Sequence, residues 1–152
     1  AQSIAEAFDG PLVFVATGEA HDEEMAVRIE RHRADRGPRW RTVEAPLALA
    51  EAIRLSSAPD RLLLVDCLTL WASNLMHAGR DVAEATAELI AALQAAPGPV
   101  LLVSNEVGLG IVPDHALARA FRDAAGHMNQ AVAAAADRVT FVTAGLPIVV
   151  KG

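Results

Sequence analysis

Leu62-Leu63-Leu64-Val65-Asp66-Cys67-Leu68-Thr69 is the stretch from which the fold can be read. Four apolar residues, a strand's length, stop abruptly at a carboxylate. A strand apolar on both faces belongs inside a parallel sheet covered by helices. In such sheets ligands sit beyond the carboxyl ends of the strands. Two readings of Asp66 stay open here. It is either a cap on the next turn or the acid that ends the second diagnostic strand of a P-loop nucleotide enzyme and meets Mg2+.

Working outward, the same pattern repeats. Leu12-Val13-Phe14-Val15-Ala16 is a second buried strand leading into Thr17-Gly18, and Val100-Leu101-Leu102-Val103-Ser104 is a third leading into Asn105-Glu106. Trp40-Arg41-Thr42-Val43-Glu44 reads as a short extended piece. Helical spacing lies between them. Ile4 and Phe8 share a face, as do Met25 and Ile29 within a helix from Asp22 to His32. Leu49 pairs with Ile53 in a helix over 47–55, and Trp71 with Leu75 over 68–76. Asp81 reads as an N-cap with Glu84 as its capping-box partner. Asp114 is expected to cap a long alanine-rich helix to Ala136, with Leu117, Phe121, Met128 and Val132 facing inward. Val139–Thr143 and Ile148–Val150 flank Gly145-Leu146-Pro147 as a terminal strand pair.

Strand and helix in alternation predict an α/β fold with a mostly parallel sheet. Thr17, Asp66 and Ser104-Asn105-Glu106 should then converge on one edge. Residues 1–152 are read as one domain. A helix already running at Ala1 is a strange opening for such a domain, so an element is expected upstream.

The hydrophobic share of 53% is slightly high, yet no apolar run approaches the roughly 18 residues that span a membrane. One cysteine, Cys67, cannot form an internal disulfide and fits a reducing cytoplasm. It reads as a small buried filler. A net charge of −6 argues against nucleic acid or an anionic membrane as partner. Against that charge, Arg28, Arg31, Arg33, Arg36, Arg39 and Arg41 cluster within fourteen residues. Guanidinium forks match phosphate oxygens, and a solvated helix end explains the cluster equally well.

Taken together the pieces resemble the bifunctional adenosylcobinamide kinase / adenosylcobinamide-phosphate guanylyltransferase family of cobalamin biosynthesis. The matching stretches are Ala16-Thr17, Asp22 to Met25, Arg28-Ile29 to His32, Trp40 to Glu44, Asp66 to Trp71 with Asn74-Leu75, and Ser104-Asn105-Glu106-Val107-Gly108 with Gly110-Ile111-Val112-Pro113. Phe121-Arg122-Asp123, Gly126, Asn129-Gln130, Ala136-Asp137 and Ala144-Gly145 complete the match, in order and over nearly the whole chain. The Asn-Glu-Val-Gly and Gly-Ile-Val-Pro segments are its specific part.

The resemblance implies a P-loop NTPase-like (RecA-like) fold with two activities. One phosphorylates the aminopropanol hydroxyl of adenosylcobinamide from ATP or GTP. The other transfers GMP from GTP onto that phosphate through a guanylylated histidine, matched here by His32. Ala16, Thr17, Gly18, Arg33, Ala34, Asp35, Arg36, Glu44 and Asp66 match positions expected to contact the nucleotide. A homo-oligomer, a trimer, is implied as well. The family opens with a strand and a Gly-x-x-x-x-Gly-Lys-Ser/Thr loop that cradles the triphosphate. The chain as given has neither, so both are expected in roughly 15–20 residues upstream.

Residue chemistry bears on the same positions. A neutral imidazole is a good nucleophile at phosphorus, and arginines neutralise charge on the transferring group. A helix C-terminus and Glu30 favour the imidazolium of His32, while the arginines oppose it. His21, His77, His115 and His127 are its rivals. Of these, His21 and His115 flank helix starts and His77 sits in a turn. Glu44 can accept hydrogen bonds from a guanine edge. Asp66 and Glu106 can hold Mg2+, and Glu106 can equally buttress its loop. The competing functions are a degenerate nucleotide-binding subunit without turnover and an unrelated P-loop kinase or RecA-like ATPase.

Overall fold

The structure is a computed structural model and describes residues 1–19, Val27 and residues 37–152. Apart from Val27, the helix expected from Asp22 to His32 and the run Arg33 to Arg36 lie outside the described residues. The elements are α1 (Gln2–Glu6), β1 (Leu12–Ala16), β2 (Trp40–Glu44), α2 (Leu49–Ser56), β3 (Leu62–Asp66), α3 (Leu68–His77), α4 (Val82–Ala95), β4 (Val100–Val103), α5 (Ala116–Ala135), β5 (Val139–Thr143) and β6 (Leu146–Lys151). Among the described residues four strands form a parallel sheet in the order β2-β1-β3-β4, and β5-β6 form a separate antiparallel pair. This is the α/β architecture that alternating strands and helices predict.

The pleat sorts the core into two layers, because successive strand residues point to opposite faces. Val13, Val15, Leu63 and Val65 face a thick layer built from Leu49, Ile53, Trp71, Leu75, Leu89 and Met128 of the helices. Each such side chain contributes about 1.5–3 kcal/mol on burial. Leu12, Leu62 and Leu64 face the other way, where, among the described residues, Ala5 and Phe8 pack against them. On that side Phe14 meets Trp40 edge-to-face, with ring centroids 6.3 Å apart.

At the strand entries, glycine permits close approach of three loops. The turn at 58–61 precedes β3 and is gripped from both sides. A Cβ on Gly10 would lie 2.5 Å from the Asp60 carbonyl oxygen. One on Gly98 would lie 2.0 Å from that of Ala58. The entry rim is therefore closed by backbone against backbone.

Several expectations change in detail. In α1 the buried residue is Ala5, while Ile4 faces solvent and Phe8, past the helix end, is partly buried; a helix this short touches the sheet along one narrow line. Asp81 does cap α4, its Oδ1 accepting N–H bonds from Ala83 at 2.7 Å and Glu84 at 3.1 Å. At α5 the cap is His115, whose Nδ1 accepts from Leu117 N–H at 3.3 Å. Asp114 lies one residue too early because the helix starts at Ala116. Leu117 is 57% exposed, its turn extending past the edge of the core. His77 belongs to the last turn of α3, with Nδ1 2.7 Å from the Ser73 carbonyl oxygen.

The terminal turn is tighter than its Gly-Leu-Pro sequence implies. Ala144 (φ 50°) and Gly145 (φ 78°) are its two central residues, both left-handed as a two-residue hairpin requires. Leu146 and Pro147 already belong to β6. In a two-stranded ribbon every strand is an edge, which tolerates proline's missing N–H. The ribbon is anchored to α5 by Lys151, whose Nζ donates to the Ala134 and Ala133 carbonyls at 2.9 and 3.1 Å.

Candidate functional site

Parallel register draws the predicted residues into one row. Glu44 stands opposite Ala16, Ala16 opposite Asp66, and Asp66 opposite Val103, all at the strand exits. Paired residues of parallel strands project from the same face. Glu44, Ala16 and Asp66 thus continue the side of the sheet that carries Leu12 and Leu64, and both carboxylates are exposed. Asp66 is stepped out of the core by the same alternation that buries Val65.

Thr17 is one step on and faces the thick layer, completely buried. Its Oγ1–H donates to the Cys67 carbonyl at 2.7 Å, and the same Oγ1 accepts the Cys67 N–H at 2.7 Å. Its own carbonyl accepts from Asn74 Nδ2 at 2.7 Å. Asn74 also donates to the Pro46 carbonyl at 3.1 Å. The Thr17 side chain is thus committed to joining the exits of β1 and β3. The Asp66–Cys67 peptide is cis. Cys67 is buried as the sequence implies, and burial pushes its thiol above the ordinary range. Thr17→Val keeps the shape but strands the Cys67 N–H, while the Cys67 carbonyl keeps its bond from the Trp71 N–H at 3.2 Å. A buried group left without its partner costs about 1–3 kcal/mol. The expected result is a lower urea midpoint at unchanged m-value.

Beyond β4 a second polar cluster forms. Thr69 Oγ1 accepts the Asn105 N–H at 2.8 Å and lies 3.5 Å from Ser104 Oγ. Ser104 Oγ–H donates to Asn129 Oδ1 at 2.6 Å. Asn129 Nδ2 donates to Glu106 Oε1 at 2.8 Å and to the Asn105 carbonyl at 3.1 Å. Arg122 Nη2 holds the Gly108 carbonyl at 2.8 Å. The glycine-bearing loop after β4 is therefore pinned from α3 and α5. Thr17, Asp66 and Ser104-Asn105-Glu106 do converge on one edge. Gly18 follows them there, its Cα facing Leu70.

Arg39 departs from the phosphate reading of its cluster. Its guanidinium donates to the carbonyls of Gly10 at 2.8 Å, Glu6 at 3.4 Å and Phe8. It closes the last turn of α1 beside the strand entries, at the opposite rim from Asp66. His32 and Arg33 to Arg36 lie outside the described residues.

Asn74, Thr69 and Asn129 carry most of this organisation, and residue chemistry left them without roles. The signal was available: asparagine is a poor helix-interior residue, so one within a helix invites a tertiary explanation.

Parallel strands whose polar exits gather at one rim, under helices, define an α/β protein with its candidate ligand site at that rim. The family model described as "Cobinamide kinase / cobinamide phosphate guanyltransferase" matches residues 1–150. A bifunctional adenosylcobalamin biosynthesis protein, CobP of Pseudomonas aeruginosa, is 48% identical over 142 residues, covering 91% of this chain and 82% of the relative. The CobU proteins of Salmonella typhimurium and Escherichia coli, described in the same words, are each 41% identical. They cover 94% and 92% of this chain and 88% and 86% of their own lengths. The chain belongs to the cobinamide kinase / cobinamide phosphate guanyltransferase family and is a transferase of cobalamin biosynthesis. That assignment sets aside an unrelated P-loop kinase or RecA-like ATPase. Among the described residues no helix is long and apolar enough to cross a membrane.

Proposed function

We propose that this protein phosphorylates adenosylcobinamide and then transfers GMP from GTP onto adenosylcobinamide phosphate through a guanylyl-histidine at His32. The observation that carries the reading is the family match over residues 1–150, joined to the row Glu44, Ala16, Asp66 at the strand exits.

In the first step the aminopropanol hydroxyl oxygen attacks the γ-phosphorus of ATP or GTP. The bond to the β-phosphate oxygen breaks and a nucleoside diphosphate leaves. In the second, a ring nitrogen of His32 attacks the α-phosphorus of GTP and pyrophosphate departs. A phosphate oxygen of adenosylcobinamide phosphate then attacks that phosphorus, the P–N bond breaks, and the imidazole is regenerated. Arg33, Ala34, Asp35 and Arg36, next to His32 in sequence, complete the nucleotide site with Ala16, Thr17 and Gly18. At Thr17 the contribution is positional, since its hydroxyl is used on Cys67. Glu44 accepts from the guanine edge.

Among the described residues no cluster of three or more His, Cys, Asp or Glu would cage a resident metal. Two carboxylates do fit Mg2+ delivered with a triphosphate, since that ion takes one or two carboxylates plus phosphate oxygens and water. Asp66 and Glu106 are the residues that would hold it, where it would neutralise phosphate charge. The reading is completed by one domain over residues 1–152, a cytoplasmic location and a homo-oligomer, a trimer.

GTP labelled at the α-phosphate tests the central claim. Intact wild-type protein should retain an acid-labile, base-stable label that adenosylcobinamide phosphate discharges. Protein that turns over substrate without ever retaining label would overturn the covalent route.

A further inference from the structure

We propose that Asn129 is a positioning residue for the phosphate chemistry, aiming the Glu106 carboxylate at the strand-exit rim. The inference rests on the proposed function, in which Glu106 meets magnesium carried by the nucleotide.

Glu106 is exposed and sits in a loop. Left alone, such a side chain samples several rotamers, and fixing it costs about 1–2 kcal/mol of entropy. The structure fixes it from α5. Asn129 neighbours Met128, which is buried in the main core, so its helix is held where the amide emerges. Both amide hydrogens are used, one on Glu106 Oε1 and one on the Asn105 carbonyl, and both partners are acceptors only. The amide oxygen faces Ser104 Oγ, which supplies a hydrogen. The orientation of the amide is therefore dictated by its partners. Thr69 takes the remaining backbone polar group of Asn105, its N–H. Residue 105 is clamped between α3 and α5, and residue 106 emerges from a fixed point. Only one carboxylate oxygen is bonded to Asn129, leaving the other for a cation.

A residue that only staples the loop would use the Asn105 carbonyl and Ser104. The bond to the Glu106 carboxylate is the part with chemical meaning, and it makes a distinct prediction. Groups that act as a unit give non-additive losses. Kinase kcat/KM, half-saturating Mg2+ and melting temperature should be measured for the full-length protein and for Asn129→Ala, Glu106→Gln and the double variant. Loss of such an outer support costs about 10–100-fold in activity or metal affinity. Asn129→Ala should therefore lower kcat/KM by that factor and raise the Mg2+ requirement. In the Glu106→Gln background the same substitution should change kcat/KM less than about twofold, while any effect on melting temperature persists. Losses that multiply in the double variant, or an Asn129→Ala enzyme within about twofold of wild type, would overturn the proposal.

Failure of the functional reading looks different: the wild type would turn over no cobinamide. The positioning contact is then judged by NMR of the Asn129 side-chain amide. Its two proton resonances should shift in Glu106→Gln and stay fixed in the remote Glu88→Gln. Resonances unmoved by Glu106→Gln would overturn it without any appeal to turnover.

Discussion

His32→Ala protein is expected to retain no label from α-labelled GTP and to lose GMP transfer by at least about 10³-fold, the scale on which removal of a covalent nucleophile is felt. The reason is chemical. Alanine offers no lone pair for the α-phosphorus, and water cannot substitute without discarding the guanylyl group as free GMP. The phosphorylation step breaks a different bond and never uses the imidazole, so it should survive within a few-fold. That split between half-reactions distinguishes a lost nucleophile from a damaged fold, which would depress both. Quantifying phosphorylated cobinamide and the GMP conjugate in one time course checks it. Label that survives His32→Ala would move the nucleophile to another residue.

Gly98→Ala is expected to remove much of the folding stability, at least about 3 kcal/mol, above the usual cost of overpacking. Its Cβ would lie 2.0 Å from the Ala58 carbonyl oxygen, 2.9 Å from that of Arg61 and 3.0 Å from the Ala58 carbonyl carbon. All three are backbone atoms, so no rotamer change relieves the clash. The loop that feeds β4 must move away from the turn that feeds β3, disturbing the bond from Leu63 N–H to the Pro99 carbonyl at 3.0 Å. Against a typical total of about 5–15 kcal/mol, such a loss leaves a marginal protein. Gly37→Ala is the control, because nothing among the described residues lies within 4 Å of the added methyl. Chemical denaturation of the two variants should separate them clearly; equal midpoints would mean the entry loops are slack.

The sheet was legible because its strands advertise themselves. Leu62 to Val65 and Leu12 to Val15 are apolar on both faces and cannot be placed anywhere but inside. The convergence of Thr17, Asp66 and Glu106 followed from parallel connection alone. Alternation held more than was drawn from it. It implies that Thr17 follows Val15 into the thick layer while Asp66 emerges, so adjacent positions on neighbouring strands do opposite work. Roles set by distant partners were not readable. Arg39 looks like one more phosphate arginine until α1 is seen ending beside it. Asn129 belongs to the family match, but only its awkward place in an alanine-rich helix hints at what it does there. The choice of His115 over Asp114 as a cap depends on where α5 begins, a matter of one residue.

The β5-β6 ribbon shares no ladder with the four-stranded sheet. Opening it breaks its own cross-strand bonds and the lysine anchor, and leaves the parallel strands intact. Its amide protons should therefore exchange with deuterium by a local route, well before those of β1 and β3, which wait for global unfolding. Mass spectrometry of timed peptide digests would then show two clocks in one chain, the faster of them confined to its last fourteen residues or so.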